Sequence, residues 1–213
     1  MILYTLHGNG YIDISELESL DNVSVYVNLT NRCPCACTFC LRQTKKMSEE
    51  HTLWLKKEPT VDEVIKEFQK YDLDDFKEVV FCGFGEPMER VEDIVQIAGI
   101  LKLYRKDLPI RINTNGLGNL IHERDITPEL KGRIDIVSIS LNAPDKQEYF
   151  ALTRSRFGEE SYEAMLDFAS RCKSYVPHVV LTVVDIIGTD KINKCQKICD
   201  DLGVTLRVRP FEE

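Results

Sequence analysis

Short apolar runs rich in β-branched residues recur along this chain, and they restrict its possible folds more than any other feature. Each run is short enough to be a strand, and its nearly continuous apolar character is typical of a strand buried on both faces. The six runs are residues 23–29, 78–82, 109–113, 134–141, 178–184 and 205–208. Such strands occur mainly in parallel sheets, so the runs predict an α/β fold.

The segments between these runs have the spacing of amphipathic helices. They are residues 61–71, 91–104, 161–174 and 191–202. The first has a capping box, with Thr60 as N-cap and Glu63 three residues later. Because crossovers between parallel strands are right-handed, the helices are expected on the outside of a curved sheet. Six strand–helix units are fewer than the eight of a closed barrel, so a (β/α)6 partial TIM barrel is predicted.

The length of 213 residues is enough for one well-buried domain. No stretch rich in Pro, Gly or Ser and no abrupt change of composition marks a second one. A single domain over residues 1–213 is therefore expected, with residues 1–22 as an N-terminal lead-in and residues 23–209 as the partial barrel.

The formal net charge of −8 would repel a nucleic-acid backbone, so nucleic acid is not favoured as a partner. One basic cluster lies between positions 42 and 57, close in sequence to a group of cysteines. Its members are Arg42, Lys45, Lys46, Lys56 and Lys57. A solvated surface is the simple interpretation of this cluster, and contact with a substrate anion is the alternative.

Cysteine usage and hydropathy predict a soluble, cytoplasmic protein without a membrane partner. The chain has eight cysteines, and its first residues have no basic region followed by an apolar run. No stretch is long and apolar enough to cross a bilayer. Four cysteines within eight positions indicate a metal centre in a reducing compartment more than a disulfide scaffold.

Cys33, Cys37 and Cys40 directly follow the first predicted strand. They provide three thiolates where a four-iron cluster takes four ligands, which leaves one iron open. An open iron can bind and activate a small molecule, whereas a fully ligated cluster mainly carries electrons. This spacing therefore predicts a reactive cluster.

A structural zinc ion is the alternative, since four closely spaced cysteines can also bind zinc. Zinc sites usually pair two knuckles that are separated in sequence, and Cys195 and Cys199 are the nearest candidates for a second one. Their spacing instead predicts two buried cysteines on one helix face. Cys35 lies inside the gap between Cys33 and Cys37 and is predicted not to be a ligand.

Polar residues and glycines follow the other predicted strands, at the end of a barrel where catalytic groups collect. Gly-Phe-Gly-Glu-Pro occupies residues 83–87, and Asn-Thr-Asn-Gly occupies residues 113–116. Ser138, Ser140 and Asn142 alternate along the fourth run and so share one face of it. These groups either bind a ligand or hydrogen-bond one another and water.

The C-x3-C-x2-C spacing, with Phe39 before the last cysteine, resembles the radical S-adenosylmethionine (radical SAM) superfamily. The resemblance implies the partial barrel typical of that superfamily, with a 4Fe–4S cluster on Cys33, Cys37 and Cys40. It also implies that SAM binds the open iron and is reductively cleaved to a 5'-deoxyadenosyl radical, which abstracts hydrogen from a substrate.

Residues 83–87 resemble the Gly-Gly-Glu-Pro element that holds the SAM ammonium group, with Phe84 in place of the first of the two adjacent glycines. Gly85 and Glu86 are therefore the positions of this chain that still match the element of the family. The resemblance further implies that Phe39 packs beside the adenine and that polar side chains reach the ribose or the carboxylate. The polar contacts implied are Asn113, Asn115, Ser140, Asn142 and Arg154.

Residues 28–33, 38–42 and 53–59 are most similar to the short radical SAM proteins linked to TatD-family hydrolases. That similarity implies a TatD-family hydrolase as a partner, and a flavodoxin or ferredoxin is expected as electron donor. Since the chain ends soon after the sixth run, one cluster and an open barrel admitting a macromolecular substrate are expected. The alternatives are an activating enzyme of the glycyl-radical type, which acts on a protein, and an iron–sulfur electron carrier that never cleaves SAM.

Overall fold

The structure is a computed structural model that describes residues 1–8, 10–44, 47–48 and 51–210. Its centre is a sheet of eight strands in the order β2-β1-β3-β4-β5-β6-β7-β8. The strands are β1 (Leu3–His7), β2 (Gly10–Asp13), β3 (Val23–Val27), β4 (Phe76–Phe81), β5 (Ile110–Thr114), β6 (Ile136–Ser140), β7 (His178–Val184) and β8 (Thr205–Arg209). Strands β3 to β8 are parallel and follow one another in chain order, which confirms the six predicted strands and the α/β fold.

Helices connect the parallel strands. They are α1 (Leu41–Thr44), α2 (Val61–Phe68), α3 (Val91–Tyr104), α4 (Gly118–Ile121), α5 (Lys146–Thr153), α6 (Ser161–Cys172) and α7 (Thr189–Leu202). The four predicted helices correspond to α2, α3, α6 and α7. The capping box of α2 is confirmed, since the Glu63 amide donates to the Thr60 hydroxyl and the Thr60 amide donates to the Glu63 carboxylate. In the described residues, no helix is long and apolar enough to cross a bilayer.

The N-terminal lead-in forms part of the sheet, although its sequence carries no strand pattern. Strands β1 and β2 form an antiparallel hairpin, and β1 pairs antiparallel with β3. The hairpin was missed because only part of it is buried. Leu3 and Tyr4 are nearly inaccessible, whereas Leu6 is 48% exposed, so the segment lacks a continuous apolar run.

Several predicted strands extend beyond the observed ones. The first run was predicted to reach residue 29, but β3 ends at Val27, and the buried Leu29 lies in the loop that follows. In the same way Ile134 and Leu141 are buried outside β6. Apolar runs report burial, and here the segments flanking the strands are buried too. Helix α2 likewise ends three residues earlier than predicted.

Alternate residues of the parallel strands face two different environments. On the helix side, the apolar side chains form one continuous core: Val25, Val79, Phe81, Ile112, Val137, Ile139 and Leu181 are fully buried. On the opposite side, which we call the lumen, the strands carry polar residues. Arg111 donates to Glu78 at 2.8 Å and 3.1 Å, and Ser24 donates to the same carboxylate at 2.9 Å. The interior of the partial barrel is therefore polar.

Candidate active site at the carboxyl ends of the parallel strands

The cysteine loop, residues 33–40, is held by the C-terminal end of α5. The amides of Ala36 and Thr38 donate to the carbonyls of Thr153 and Leu152, each at 2.9 Å. In the opposite direction the Arg156 amide donates to the Pro34 carbonyl at 2.9 Å. Since backbone bonds of this kind fix the path of a loop, α5 and the segment after it define where the thiols lie.

The four thiols of this loop lie in different environments. Cys35 is 6% exposed and packs in the hydrophobic core, whereas Cys33, Cys37 and Cys40 are partly exposed. Hydrogen bonds from the Cys35 thiol lower the pKa of Cys33 and of Cys37 and raise the pKa of Cys35 itself. Burial raises the pKa of Cys40. In the described ranges, no three His, Cys, Asp or Glu side chains are arranged to bind a single metal ion.

Glu86, which follows β4, is buried, and protein donors surround its carboxylate. It accepts hydrogen bonds from the Thr114 hydroxyl at 2.6 Å, the Asn115 amide at 2.7 Å and the Met88 amide at 3.1 Å. Burial raises the pKa of Glu86 to about 7 although these three bonds act to lower it. The side chain of Glu86 therefore joins the loop after β4 to the loop after β5.

Gly85 lies where the loop after β4 meets the loop after β3. A Cβ atom at this position would lie 2.3 Å from the Thr30 carbonyl oxygen and 2.7 Å from that of Arg32. The Glu86 amide donates to the same Arg32 carbonyl at 2.7 Å. Only glycine permits so close an approach of two backbones, so Gly85 positions the peptide groups beside the cysteine loop.

Asn113 and Asn115, two of the three predicted asparagine contacts, occupy different sides of this region. Asn113 faces the lumen, where its Oδ1 atom accepts a hydrogen bond from Arg111 at 3.2 Å. Asn115 faces the cysteine loop, since its Nδ2 atom donates to the Cys35 sulfur at 3.7 Å and its Oδ1 atom accepts from the Leu117 amide. Only Asn115 is thus brought to the thiols.

Phe39 and Asn142 lie together on a small cavity of about 40 Å³ that Leu152 and Val184 also line. Asn142 follows β6 in a left-handed conformation with φ of 62°, and its amide donates to the Thr182 carbonyl at 3.2 Å. Ser140, the last residue of β6, is half-buried.

Arg154 follows α5 in a left-handed conformation, next to Thr153, whose carbonyl holds the cysteine loop. Its side chain is exposed. The structure thus places the Arg154 backbone at the loop and its guanidinium at the surface.

This region also contains Arg42 of the predicted basic cluster and aromatic residues without an expected site role. The Arg42 guanidinium lies 5.5 Å from the Trp54 ring centre, and Trp54 contacts Phe84 edge-on at 5.2 Å. Tyr149 of α5 is fully buried, and its hydroxyl has no hydrogen-bond partner in the described ranges. Arg209 is a further residue without an expected site role. The alternation of side chains along β8 is the sequence signal that assigns it to the lumen side. Lys45 and Lys46 of the predicted basic cluster lie outside the described residues.

The thiols of Cys33, Cys37 and Cys40 fit an iron–sulfur cluster with three protein ligands. Cys37 and Cys40 line a cavity of about 170 Å³ together with Phe39 and Arg209. Cys33 lies on the same loop and is partly exposed, while the Cys35 sulfur is enclosed by the core. Thiolates are the protein ligands of such clusters. The fold and this loop together define a partial parallel barrel of the iron–sulfur enzyme class.

Comparison with known proteins supports this class. A family model described as the Radical SAM superfamily matches residues 27–202. Over 134 residues the chain is 32% identical to GTP 3',8-cyclase of Corynebacterium glutamicum. The aligned region covers 60% of this chain and 33% of that protein. The chain therefore spans about a third of the length of the curated relatives it matches.

Two solved structures share the fold at low sequence identity. Streptococcus suis SuiB bound to the precursor peptide SuiA superposes with a TM-score of 0.64 and 14% identity, over 90% of this chain and 40% of that one. Methylornithine synthase (PylB) superposes with a TM-score of 0.59 and 16% identity, over 88% of this chain and 53% of that one.

The chain belongs to the Radical SAM superfamily, since the family model matches most of its length. The members of this superfamily are enzymes that use a 4Fe–4S cluster and S-adenosylmethionine.

Proposed function

We propose that this chain uses Cys33, Cys37 and Cys40 to hold a 4Fe–4S cluster and cleaves SAM reductively. When bound, cluster and SAM supply a 5'-deoxyadenosyl radical that abstracts hydrogen from a substrate in the lumen. The observation that carries the proposal is the position of the cysteine loop, which three backbone hydrogen bonds hold at the carboxyl ends of the parallel strands.

Within this proposal, Cys35 is a positioning residue and not a ligand. Its sulfur is buried and accepts a hydrogen bond from the Asn115 Nδ2 atom at 3.7 Å, and its single thiol proton, offered to either Cys33 or Cys37, lowers the pKa of both. Donation to a sulfur favours the thiolate form of that sulfur, and the thiolate is the form that binds iron.

The proposed SAM contacts are Phe39, Gly85, Glu86, Asn113, Asn115, Ser140, Asn142 and Arg154. The structure supports different roles among them. Gly85 would present backbone peptide groups, because a side chain there would collide with the Thr30 carbonyl. Glu86 would orient that loop, since protein donors already occupy its carboxylate. Phe39 and Asn142 would contact the adenosyl part through the cavity they share.

The proposal is tested by anaerobic reconstitution with iron and sulfide, followed by SAM and dithionite, with 5'-deoxyadenosine as the product measured. The wild type is expected to form it, and the triple variant Cys33→Ala, Cys37→Ala, Cys40→Ala is expected to lose both iron and product. The control is Cys35→Ser, which keeps a donor beside the ligands and should retain most of the iron. Equal loss of iron in Cys35→Ser would contradict the assignment of ligands.

We further propose a macromolecular substrate, namely an extended peptide segment. The support is a polar lumen beside the exposed edge strand β8, together with the peptide bound by the fold neighbour SuiB. A flavodoxin or ferredoxin would supply electrons, and a TatD-family hydrolase is the proposed partner. Cross-linking of the chain to each protein, with serum albumin as control, tests these partners.

An activating enzyme of the glycyl-radical type and an electron carrier remain the alternatives. SAM binding separates the carrier from the enzymes. The variant Ser140→Ala, Asn142→Ala should lower SAM affinity in an enzyme and leave the cluster intact. An intact cluster that shows no SAM binding in the wild type would favour the carrier.

A further inference from the structure

Arg209 ends the last parallel strand, on the lumen side of the sheet. It pairs in register with Val184, the last residue of β7. Leu206 of the same strand packs against the helix-side core. Because side chains alternate along a strand, Arg207 and Arg209 lie on the opposite face.

The charge of Arg209 also acts on a thiol that follows another strand. Burial raises the pKa of Cys82, and the positive charge of Arg209 acts against that rise. Cys82 directly follows β4, and three strands separate β4 from β8 in the sheet. Since three strands lie between the two residues, this electrostatic influence acts through the lumen and not along the sheet.

Arg209 also faces the cysteine loop. It lines the cavity of about 170 Å³ together with Cys37, Phe39 and Cys40. Gly85 and Glu86, two of the proposed SAM contacts, follow β4, whereas Arg209 ends β8, with three strands between them. Arg209 therefore approaches the cysteine loop from the side of the sheet opposite to those two contacts.

The Nε atom of Arg209 is buried and has no hydrogen-bond partner among the residues that the structure describes. Within the part of the chain that the structure describes, no carboxylate is paired with Arg209, and the lumen carboxylate Glu78 is taken by Arg111. Burying a charged hydrogen-bond donor without an acceptor costs folding free energy, so such donors are normally paired. The Nε donor of Arg209 is therefore left without an acceptor among the described residues.

We propose that Arg209 recognises an anionic group of the substrate, a carboxylate or a phosphate, and places that substrate against the cysteine loop. This inference rests on the proposed function and narrows its substrate class to molecules with such an anion. A guanidinium suits both groups because it presents parallel N–H donors to two oxygens.

The test measures the thermal midpoint of the anaerobically reconstituted protein in sodium sulfate, sodium acetate or sodium chloride at equal ionic strength. Sulfate stands for a phosphate and acetate for a carboxylate. The preferred anion should raise the midpoint by about 3–5 °C over chloride at a concentration well above its Kd. Arg209→Gln should lose that rise, which separates binding from the general stabilisation by sulfate.

Arg207→Gln is the matched control, because it removes the same charge from the same face of the same strand. It should keep the rise. An equal loss in both variants would show general charge attraction and would overturn the proposal, as would a wild type that responds to neither anion.

Three further outcomes would overturn the proposal, because each would identify a group other than a substrate anion as the acceptor of the Arg209 hydrogen bonds. A tenfold loss of SAM affinity in Arg209→Gln would assign it to the SAM carboxylate. A shift of the cluster reduction potential without a changed anion response would assign it to the cluster. An anion response that emerges only in Glu212→Gln, Glu213→Gln would assign it to the chain's own carboxylates.

The anion measurement does not depend on SAM cleavage. Failure to form 5'-deoxyadenosine would overturn the proposed function and leave the anion site standing. An absent anion response would overturn the Arg209 assignment alone.

Discussion

At the scale of single residues, Glu86 shows how burial and hydrogen bonding compete on one carboxyl group. Desolvation raises the pKa of Glu86, while donors from Thr114, Asn115 and Met88 lower it. Burial outweighs the three hydrogen bonds, because the pKa reaches about 7 against an ordinary value of 4.5. The group therefore changes charge near neutral pH in the folded protein.

This shift predicts a specific pH dependence of stability. The folded protein binds the Glu86 proton more tightly than the unfolded chain, so the stabilisation from that proton is complete below pH 4.5 and is lost as pH rises through about 7. Between pH 6 and pH 8 the free energy of unfolding should fall by about 1 kcal/mol more in the wild type than in Glu86→Gln. Urea unfolding at both pH values measures this difference, and parallel curves for the two proteins would contradict it.

At the scale of elements, helix α5 holds the cysteine loop through backbone hydrogen bonds. The amides of Ala36 and Thr38 donate to its last carbonyls at 2.9 Å. We expect slow hydrogen exchange at these two amides in the cluster-free protein, since exchange requires that the bonds open. Exchange followed by nuclear magnetic resonance measures it.

Weakening α5 should release the loop. Ala151→Gly, at an exposed position in α5, costs about 1 kcal/mol of helix stability and should speed exchange at Ala36 and Thr38 about fivefold. Ser170→Gly, at an exposed position in α6, is the control and should leave both amides unchanged. Fast exchange at both amides in the unmodified chain would mean that the loop is ordered only by its cluster.

The element that holds the cysteine loop was not predicted from the sequence. Residues 146–153 carry a weak amphipathic pattern, and only Tyr149 and Thr153 are buried. The four predicted helices have stronger apolar faces, because they cover the sheet. Helix α5 instead uses its carbonyl ends for backbone hydrogen bonds, which leave no trace in side-chain composition.

At the scale of the whole molecule, the N-terminal hairpin completes one edge of the sheet and supports the start of the site. The amide of Asn28, just after β3, donates to the Ile2 carbonyl at 2.9 Å, and the Tyr4 ring stacks on Tyr26 at 5.2 Å. Without the hairpin, β3 would become an exposed edge strand.

Deletion of residues 1–13 should therefore lower both stability and cluster content. Loss of the buried Leu3 and Tyr4 side chains alone should cost about 3–6 kcal/mol. The urea midpoint and the iron bound after reconstitution measure the two effects. Leu6→Thr, at a half-exposed position of the same hairpin, is the control and should change the free energy of unfolding by less than about 0.5 kcal/mol. An unchanged midpoint after the deletion would show that the hairpin is dispensable.

The sequence by itself determined the α/β class, the order of the six parallel strands and the cysteine loop after the first of them. Apolar periodicity reports burial directly, and the spacing of Cys33, Cys37 and Cys40 is a local property of the chain. Only the tertiary structure decided that Cys35 faces the core, that Glu86 is enclosed by donors from the neighbouring loop, and that Arg209 lines a cavity with Cys37 and Cys40. Those features depend on contacts between residues far apart in the chain, which local pattern and propensity do not encode.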